Sequence, residues 1–301
     1  MKSFTYLSAL MGVSSAYVYP RGTANKAAGF VDSDCPSPGE DFWALSAMVA
    51  GEEKMKRELL EQDPTNVTLS ARADVTIDTY IHIVATGPNQ ADGMVLDDQI
   101  MKQMVVINDA FNKRGFSFKL AGTSRTVSQD LAIIDNKEEK TEKLGAKFRR
   151  GNYQALNLYI VKDMPGNIAG DCSLPMTRHG GKYLHDGCRF NYDTLPAKGD
   201  GKVLVHEIGH WLGLAHTFQE GDTNTLNPSC TAGHGDDVAD TPVHLRPQTG
   251  SCDPVKSCPG VAGSDPVSNF MNYTPSKCWT GFTDGQATRM HSMWEVRKNA
   301  K

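Results

Sequence analysis

The order of hydrophobic and polar positions changes period along the chain and predicts strands that alternate with helices. Residues 75–84 alternate well enough for a half-buried strand. From Leu96 to Arg114 the apolar residues keep helical spacing, and Glu138–Arg150 is typical of a charged, solvated helix. Phe116–Leu120 and Ala155–Val161 are predicted strands. Strand, helix, strand, helix, strand predicts an α/β half built on a twisted sheet.

The pattern becomes less regular in the second half of the chain. Residues 167–175 are predicted to be an edge strand over a cleft, although their periodicity also fits an ordinary loop. Residues 186–192 follow as a short strand. Residues 219–267 are rich in Gly, Pro, Asp, Ser and Thr, so this region is expected to be irregular. Residues 283–298 predict a final helix.

The N-terminal part differs in character from the rest, and the sequence divides into three parts. Residues 1–16 have the charged start, short apolar core and small final residues of a secretory signal peptide. Residues 17–73 are an N-terminal segment and a candidate propeptide, which could be removed or retained. Residues 74–301 form the main domain. Within the segment, Glu40–Gln62 predicts a helix whose apolar face includes Trp43, Met48, Met55 and Leu59 or Leu60.

Composition and cysteine usage narrow the class of protein. The 301 residues include 22% charged residues and have a net charge of -4 at pH 7, which does not favour binding to nucleic acid. After the signal, no stretch approaches the roughly 18 apolar residues of a membrane span. A soluble, secreted protein is therefore expected, and most of its 7 Cys should be paired. Six of them lie within residues 172–278, where spacing leaves their pairing open, and Cys35 stands alone near the front.

One short stretch carries the candidate chemistry. It reads His-Glu-x-x-His-x-x-Gly-x-x-His, with His206, Glu207, His210, Gly213 and His216 at the defined positions. Residues four apart share a helix face, so His206 and His210 can point two imidazoles at one metal ion. Gly213 can adopt a positive φ and end the helix, so that the chain returns with His216. Three neutral nitrogen ligands with an open fourth position are typical of catalytic zinc.

Two less specific interpretations stand beside this one. A His-Glu-x-x-His sequence arises by chance in some helices, but the added Gly and third His make coincidence improbable in a chain with only 9 His. A domain that binds zinc without activity would be expected to have lost the acid, yet Glu207 is present. A catalytic zinc site is therefore the favoured interpretation.

A second stretch follows the third histidine and contains Met271. A methionine in a turn is by itself more often core, but after a long zinc motif it completes the metzincin pattern. With Gly209–Gln219, Asp236–Pro242 and Asn269–Tyr273, the chain from about Val75 resembles the compact, secreted fungal and bacterial members of the pappalysin metalloproteases. The resemblance implies a metzincin-type zincin of α/β (α+β) class. Its twisted mixed sheet and zinc helix would come first, followed by an irregular, disulfide-stapled half that ends in a helix.

The resemblance also implies roles for individual residues. Met271 would lie in a turn beneath the zinc, and Tyr273 would donate a hydrogen bond to the tetrahedral oxyanion, with core packing as the alternative. Asp236, Asp240 and Thr241 supply oxygen ligands for a calcium ion, although an acidic solvated turn fits the same residues. The favoured disulfides are Cys230–Cys258 and Cys252–Cys278, which leaves Cys172–Cys188.

The predicted function is peptide-bond hydrolysis by a secreted zinc endopeptidase. His206, His210 and His216 would hold the ion, with a zinc-bound water as nucleophile and Glu207 as general base and then acid. A protein or peptide substrate is expected to bind along the edge strand as an antiparallel strand. Nucleic acid and membrane are not expected partners. An inactive secreted binding protein and a metal-dependent hydrolase with a non-peptide substrate are the alternatives.

Three further residues carry expectations. Asn66 begins a glycosylation sequon in a polar stretch, whereas Asn272 begins another that would be a poor acceptor below the zinc. A thiolate is a good fourth zinc ligand, so Cys35 could occupy the open position and keep a precursor latent until the segment is cut away. Alternatively, Cys35 is bonded to another cysteine.

Overall fold

A five-stranded sheet organises the main domain. The structure, a computed structural model, describes residues 38–65, 74–165, 168–178, 183–218, 230, 235–247 and 250–301. The strands are β1 Val75–Ala85, β2 Phe116–Val127, β3 Leu156–Val161, β4 Gly170–Cys172 and β5 Cys188–Asn191. Their order across the sheet is β2-β1-β3-β5-β4. All neighbours are parallel except β4, which pairs antiparallel with β5 and forms one edge of the sheet.

The helices begin and end close to their predicted positions. The α-helices of the described residues are α1 Glu40–Gln62, α2 Asp97–Phe111, α3 Lys137–Phe148, α4 Lys202–Trp211 and α5 Asp284–Asn299. The start of α5 is encoded locally, because Thr283 and Gln286 form a capping box in which each side chain bonds the other residue's backbone N–H.

Two strands differ in length from their predictions. β2 continues to Val127 because its pairing with β1 runs on to Ala85, although its second half is small and polar. Conversely, the strand predicted over 167–175 is confined to the three residues of β4. Pairing with a neighbouring strand sets these lengths, and local sequence pattern does not encode it.

Apolar layers cover both faces of the sheet. One cluster joins the strands to α2, α4 and α5, for example through Ile81 and Ile208. The opposite face carries α3, where Phe148 packs with Tyr159. All six residues of β3 are buried, as expected for a central parallel strand covered on both sides. Residues 203–211 of α4 are also buried all round, so the histidines and Glu207 lie inside the molecule.

Helix α1 packs on the main domain, but not by the predicted face. Met48, Met55 and Leu59 are 53%, 59% and 45% exposed, so that part of the prediction is wrong. The helix presents its other side to Ala215 and Met293, and polar partners extend this contact. Glu53 Oε1 accepts from Arg289 Nε at 3.2 Å, an ion pair that is almost completely buried. The residues that α1 buries in this contact are Phe42, Trp43, Leu45 and Val49.

The C-terminal half is irregular up to α5 and is cross-linked. The structure contains the three disulfide bonds that the resemblance favours, Cys172–Cys188, Cys230–Cys258 and Cys252–Cys278. The first of them joins β4 to β5. Among the described residues, no helix combines the length and apolar character that a membrane span requires.

Candidate metal centre

Three histidines converge because the zinc helix ends abruptly after its second histidine. Helix α4 places His206 and His210 one turn apart on one face. Gly213 then adopts a φ of 90° and donates its N–H to His210 O at 2.8 Å, which closes the helix. A Cβ at this position would also collide with the Met293 side chain. The chain turns back at Gly213 and brings His216 against the other two rings.

The ring nitrogens show which atoms face a metal. His206 Nδ1 lies 2.6 Å from Phe270 O, and His210 Nδ1 lies 2.7 Å from Leu214 O. Because a carbonyl oxygen only accepts, each Nδ1 carries the proton and each Nε2 keeps a lone pair. His210 Nε2 lies 3.2 Å from His206 Nε2 and 3.0 Å from His216 Nε2. Unprotonated nitrogens at these distances repel one another unless they share a cation, so this donor set fits zinc.

Burial keeps the imidazoles in the form that binds metal. Burial, together with the neighbouring His210, lowers the pKa of His206 well below its usual range. Burial also lowers the pKa of His210 to about 4. Only neutral imidazoles ligate. Across the described part of the chain, His206, His210 and His216 are the one group of three or more His, Cys, Asp or Glu side chains close enough to hold a single ion.

Glu207 is fully buried and lies next to the edge strand. A Cβ built on Gly170 would be 3.1 Å from Glu207 Cγ and 2.7 Å from Phe190 Cδ1. The absence of a side chain at Gly170 therefore lets β4 pass directly over Glu207. This contact puts the acid of the motif at the strand where the sequence predicts that a substrate binds.

Strand β4 is held firmly although it is short. Asp171 accepts from both Nε and Nη2 of Arg189 at 2.7 Å, and the pair is buried. Burial alone would raise the pKa of Asp171, but Arg189 and Lys137 outweigh it and lower the pKa to about 2. The next residue pair along the ladder is the disulfide Cys172–Cys188. A covalent bond and a bidentate ion pair thus fix the edge beside Glu207.

Met271 packs beneath the histidines, where the resemblance places it. A Cβ on Gly209 would lie 2.5 Å from Met271 Sδ, so glycine lets the thioether contact the α4 backbone. Asn269 Oδ1 accepts from Met271 N at 2.8 Å, and Met271 O accepts from Thr217 N at 3.1 Å. This turn therefore anchors the residue that follows His216 and presents the carbonyl bonded to His206 Nδ1.

Aromatic rings enclose the three histidines. Trp279 stacks on His206 with ring centroids 5.3 Å apart and planes 18° apart. Phe218 stacks on His216 at 5.1 Å, and Tyr273 meets the same ring edge-on at 4.4 Å. Tyr273 is 8% exposed, so it lies at the border between the core and the site.

Known proteins share this sequence. The family model Peptidase_M43, described as pregnancy-associated plasma protein-A, matches residues 143–295. An extracellular metalloprotease of Colletotrichum graminicola is 37% identical over 251 residues, which are 80% of this chain and 85% of that protein. An extracellular metalloprotease of Pyricularia oryzae is 34% identical over 294 residues, 94% of this chain and 97% of that protein. The chain belongs to the Peptidase_M43, or pappalysin, family.

Solved structures agree with the pappalysin fold. Mature mirolysin of Tannerella forsythia, in complex with a cleaved peptide, superposes with a TM-score of 0.59 at 22% identity over 76% of this chain and 96% of that chain. Promirolysin gives a TM-score of 0.57 over 84% and 94%. At this identity the likeness shows the fold alone, and it confirms the predicted metzincin-type zincin. With its family and its histidine triad, the protein is a zinc metalloendopeptidase.

Several residues of this pappalysin site were not singled out from the sequence. Gly209 and Gly170 act by lacking a side chain, so no chemical signal marks them. Trp279 follows a cysteine in an irregular stretch and contacts His206 only through the fold. Asp171 and Arg189 were treated as ordinary strand positions, although their alignment on neighbouring strands makes a buried pair.

The candidate calcium residues lie together but are bonded to protein partners. Asp236 Oδ1 accepts from the Thr241 hydroxyl and from Val238 N. Asp240 accepts from Thr283 Oγ1 at 2.6 Å and from Gly285 N at 2.8 Å, so it caps the start of α5. Asp236 Oδ2 is buried and has no hydrogen-bond partner among the described residues. Burial raises the pKa of Asp236 to about 7.

Other predicted features lie outside the described residues. These are the signal peptide at residues 1–16, the latency candidate Cys35 and the sequon at Asn66. Asn272, by contrast, is fully buried and donates to Pro266 O at 3.1 Å, consistent with its rejection as a glycan acceptor.

Proposed function

We propose that the protein is a secreted endopeptidase in which His206, His210 and His216 hold the catalytic zinc and Glu207 is the general base and acid. The observation that carries the proposal is the convergence of three Nε2 atoms, two of them with Nδ1 bonded to a backbone carbonyl. Extracellular relatives and the signal-like residues 1–16 support secretion.

Glu207 is suited to moving protons within the site. Zinc, when bound, supplies a Lewis acid that lowers the pKa of water and polarises a carbonyl. Glu207 accepts the proton of the attacking water and then delivers it to the leaving amine. Its complete burial removes competing solvent and strengthens its interactions with charge that develops during the reaction.

Tyr273 is proposed to stabilise the oxyanion. Its ring packs against His216 and Phe218 and keeps a small exposed fraction, so a phenol hydroxyl can face the cleft while the ring stays packed. A hydrogen-bond donor aimed at the oxyanion is typically worth a hundredfold or more in turnover. Tyr273→Phe tests this role because it removes only the hydroxyl.

A peptide substrate is proposed to pair with the free edge of β4. The strand lies at the border of the sheet and directly over Glu207, so an added antiparallel strand would pass the acid. Mature mirolysin has been seen with a cleaved peptide, which supports a peptide substrate for this chain.

Casein digestion tests the proposal against an inactive binding protein and against a non-peptide hydrolase. Purified protein should digest casein, lose the activity with a chelator and regain it with zinc. Elemental analysis of the purified protein should find close to one zinc per chain. Full proteolysis by a metal-free preparation would contradict the proposed centre.

Two regulatory features stay as proposals. Cys35 is proposed to keep the precursor latent, and comparison of full-length Cys35→Ser with the wild type before processing tests it: latency requires the variant to be active already. Calcium is proposed at Asp236 and Thr241, supported by the unpartnered Asp236 Oδ2. Residues 17–73 remain a candidate propeptide, and mass spectrometry of the secreted N-terminus decides their fate.

A further inference from the structure

Two lysines converge on one tyrosine where the central strands of the sheet end. Lys162 follows β3, and Tyr192 follows β5. Lys162 Nζ donates to Tyr192 Oη at 3.0 Å, and Lys198 Nζ donates to the same oxygen at 2.7 Å. Both ammonium groups also lie over the ring, 4.3 and 4.0 Å from its centroid. The three side chains form one compact, positively charged group.

The group has more hydrogen-bond donors than acceptors. Lys162 also donates to Ala91 O at 2.6 Å, which fixes its position and leaves one N–H unused. Lys198 has two further N–H groups, and Tyr192 Oη cannot direct its own proton at either ammonium. The two lysines lower the pKa of Tyr192, as two adjacent cations should. Neither lysine forms an ion pair with a carboxylate of the described residues, including the exposed neighbours Asp163 and Asp193.

The group also lies at a defined end of the edge strand. Asn191 N donates to Ala169 O at 2.9 Å, so the last residue of β5 pairs with the residue just before β4. Tyr192 comes next and is therefore at the amino-terminal end of β4. A peptide that pairs antiparallel with β4 runs in the opposite direction, so residues downstream of its scissile bond approach this end.

We propose that Lys162, Lys198 and Tyr192 form a carboxylate-binding subsite for the part of the substrate that follows the scissile bond. This inference rests on the proposed peptidase function. An acidic side chain or a terminal carboxylate supplies the acceptor oxygens that the group lacks, and both carry the same chemistry. Arg or Lys at the same substrate positions would be repelled.

Peptide cleavage tests the subsite. A peptide that the enzyme cuts is made with Glu or Gln at each of the second to fifth positions after the cut, with a free or an amidated C-terminus. We expect Glu to lower KM by about fivefold at one or two of these positions, the upper range for an exposed ion pair, with kcat unchanged. The preference should shrink as salt rises. If only the free C-terminus matters, the terminal carboxylate is the ligand.

Variants and a direct binding arm make the result decisive. Lys162→Gln with Lys198→Gln should abolish the Glu preference, whereas Lys119→Gln, an exposed lysine on β2 at the opposite side of the sheet, should leave it intact. Equal KM for Glu and Gln peptides in the wild type would overturn the subsite. If no peptide is cleaved, the proposed function fails instead. Calorimetric binding of the Glu and Gln peptides to Glu207→Gln then decides the subsite on its own.

Discussion

At the scale of single residues, the zinc motif is predictable because its geometry is local. A helix places residues four apart on one face, so two of the ligands need no knowledge of the fold. The support of those ligands is not local. Phe270 O, the Met271 thioether and the Trp279 ring all reach α4 from a distant part of the chain. Sequence therefore predicted what binds the metal and missed much of what orients the binding atoms.

Glu207 gives the most direct residue-scale prediction. Glu207→Gln keeps the size of the side chain and removes its basicity, so folding and zinc content should persist while kcat falls by roughly a hundredfold or more. Steady-state proteolysis and elemental analysis measure the two effects. The exposed Glu142→Gln on α3 is the matched control and should behave like the wild type. Turnover within a few-fold of wild type in Glu207→Gln would exclude the base role.

Trp279 is predicted to hold His206 in position. The indole stacks on that ring and donates from Nε1 to Thr274 Oγ1 at 3.1 Å. Trp279→Phe keeps an aromatic ring and loses the hydrogen bond, whereas Trp279→Ala opens a cavity. Zinc affinity, measured by competition with a chelating dye, should fall about tenfold or more in the Ala variant, as when outer-shell partners are lost. The Phe variant should retain most of it. Equal zinc affinity in all three proteins would contradict a positioning role.

At the scale of elements, the helices and parallel strands were predicted because their hydrophobic period is long and regular. Two failures have a common physical cause. The extent of β2 and β4 depends on a neighbouring strand, and the buried face of α1 depends on the surface of α5. In α1 the apolar residues are spread around the helix, so the sequence did not single out one face. The contact is instead decided by Trp43 and by the charge pair of Glu53 with Arg289.

That charge pair makes α1 testable as part of the folded domain. Glu53 is the carboxylate that neutralises the buried Arg289, so Glu53→Gln leaves the guanidinium without its counter-charge. The free energy of unfolding should fall by about 3 kcal/mol, measured by urea denaturation of the full chain. The exposed neighbour Glu52→Gln should change it little. Equal loss in both variants, or none, would show that α1 does not stabilise the domain in solution.

At the scale of the whole molecule, two acids respond to pH in opposite directions. The pKa of Asp171, lowered to about 2 through Arg189 and Lys137, gives stability that is present above the ordinary range of an aspartate and is lost as the pH falls toward 2. The pKa of Asp236 is raised to about 7 by burial, so the folded state holds its proton where the unfolded chain has lost it. Stability from Asp236 therefore decreases as the pH rises from about 4 to about 7.

Asp236→Asn should remove this second dependence in metal-free protein. The amide oxygen can still accept from Thr241 and Val238, and the buried charge is gone. Thermal unfolding in chelator should show the variant more stable than the wild type at pH 8, by more than about 1 kcal/mol, and similar at pH 5. Asp109→Asn, an exposed control on α2, should follow the wild type. Calcium should reverse the order at pH 8 if Asp236 binds it, because the ion stabilises the carboxylate that burial penalises. Calcium that stabilises both proteins equally would remove Asp236 from the candidate ligands.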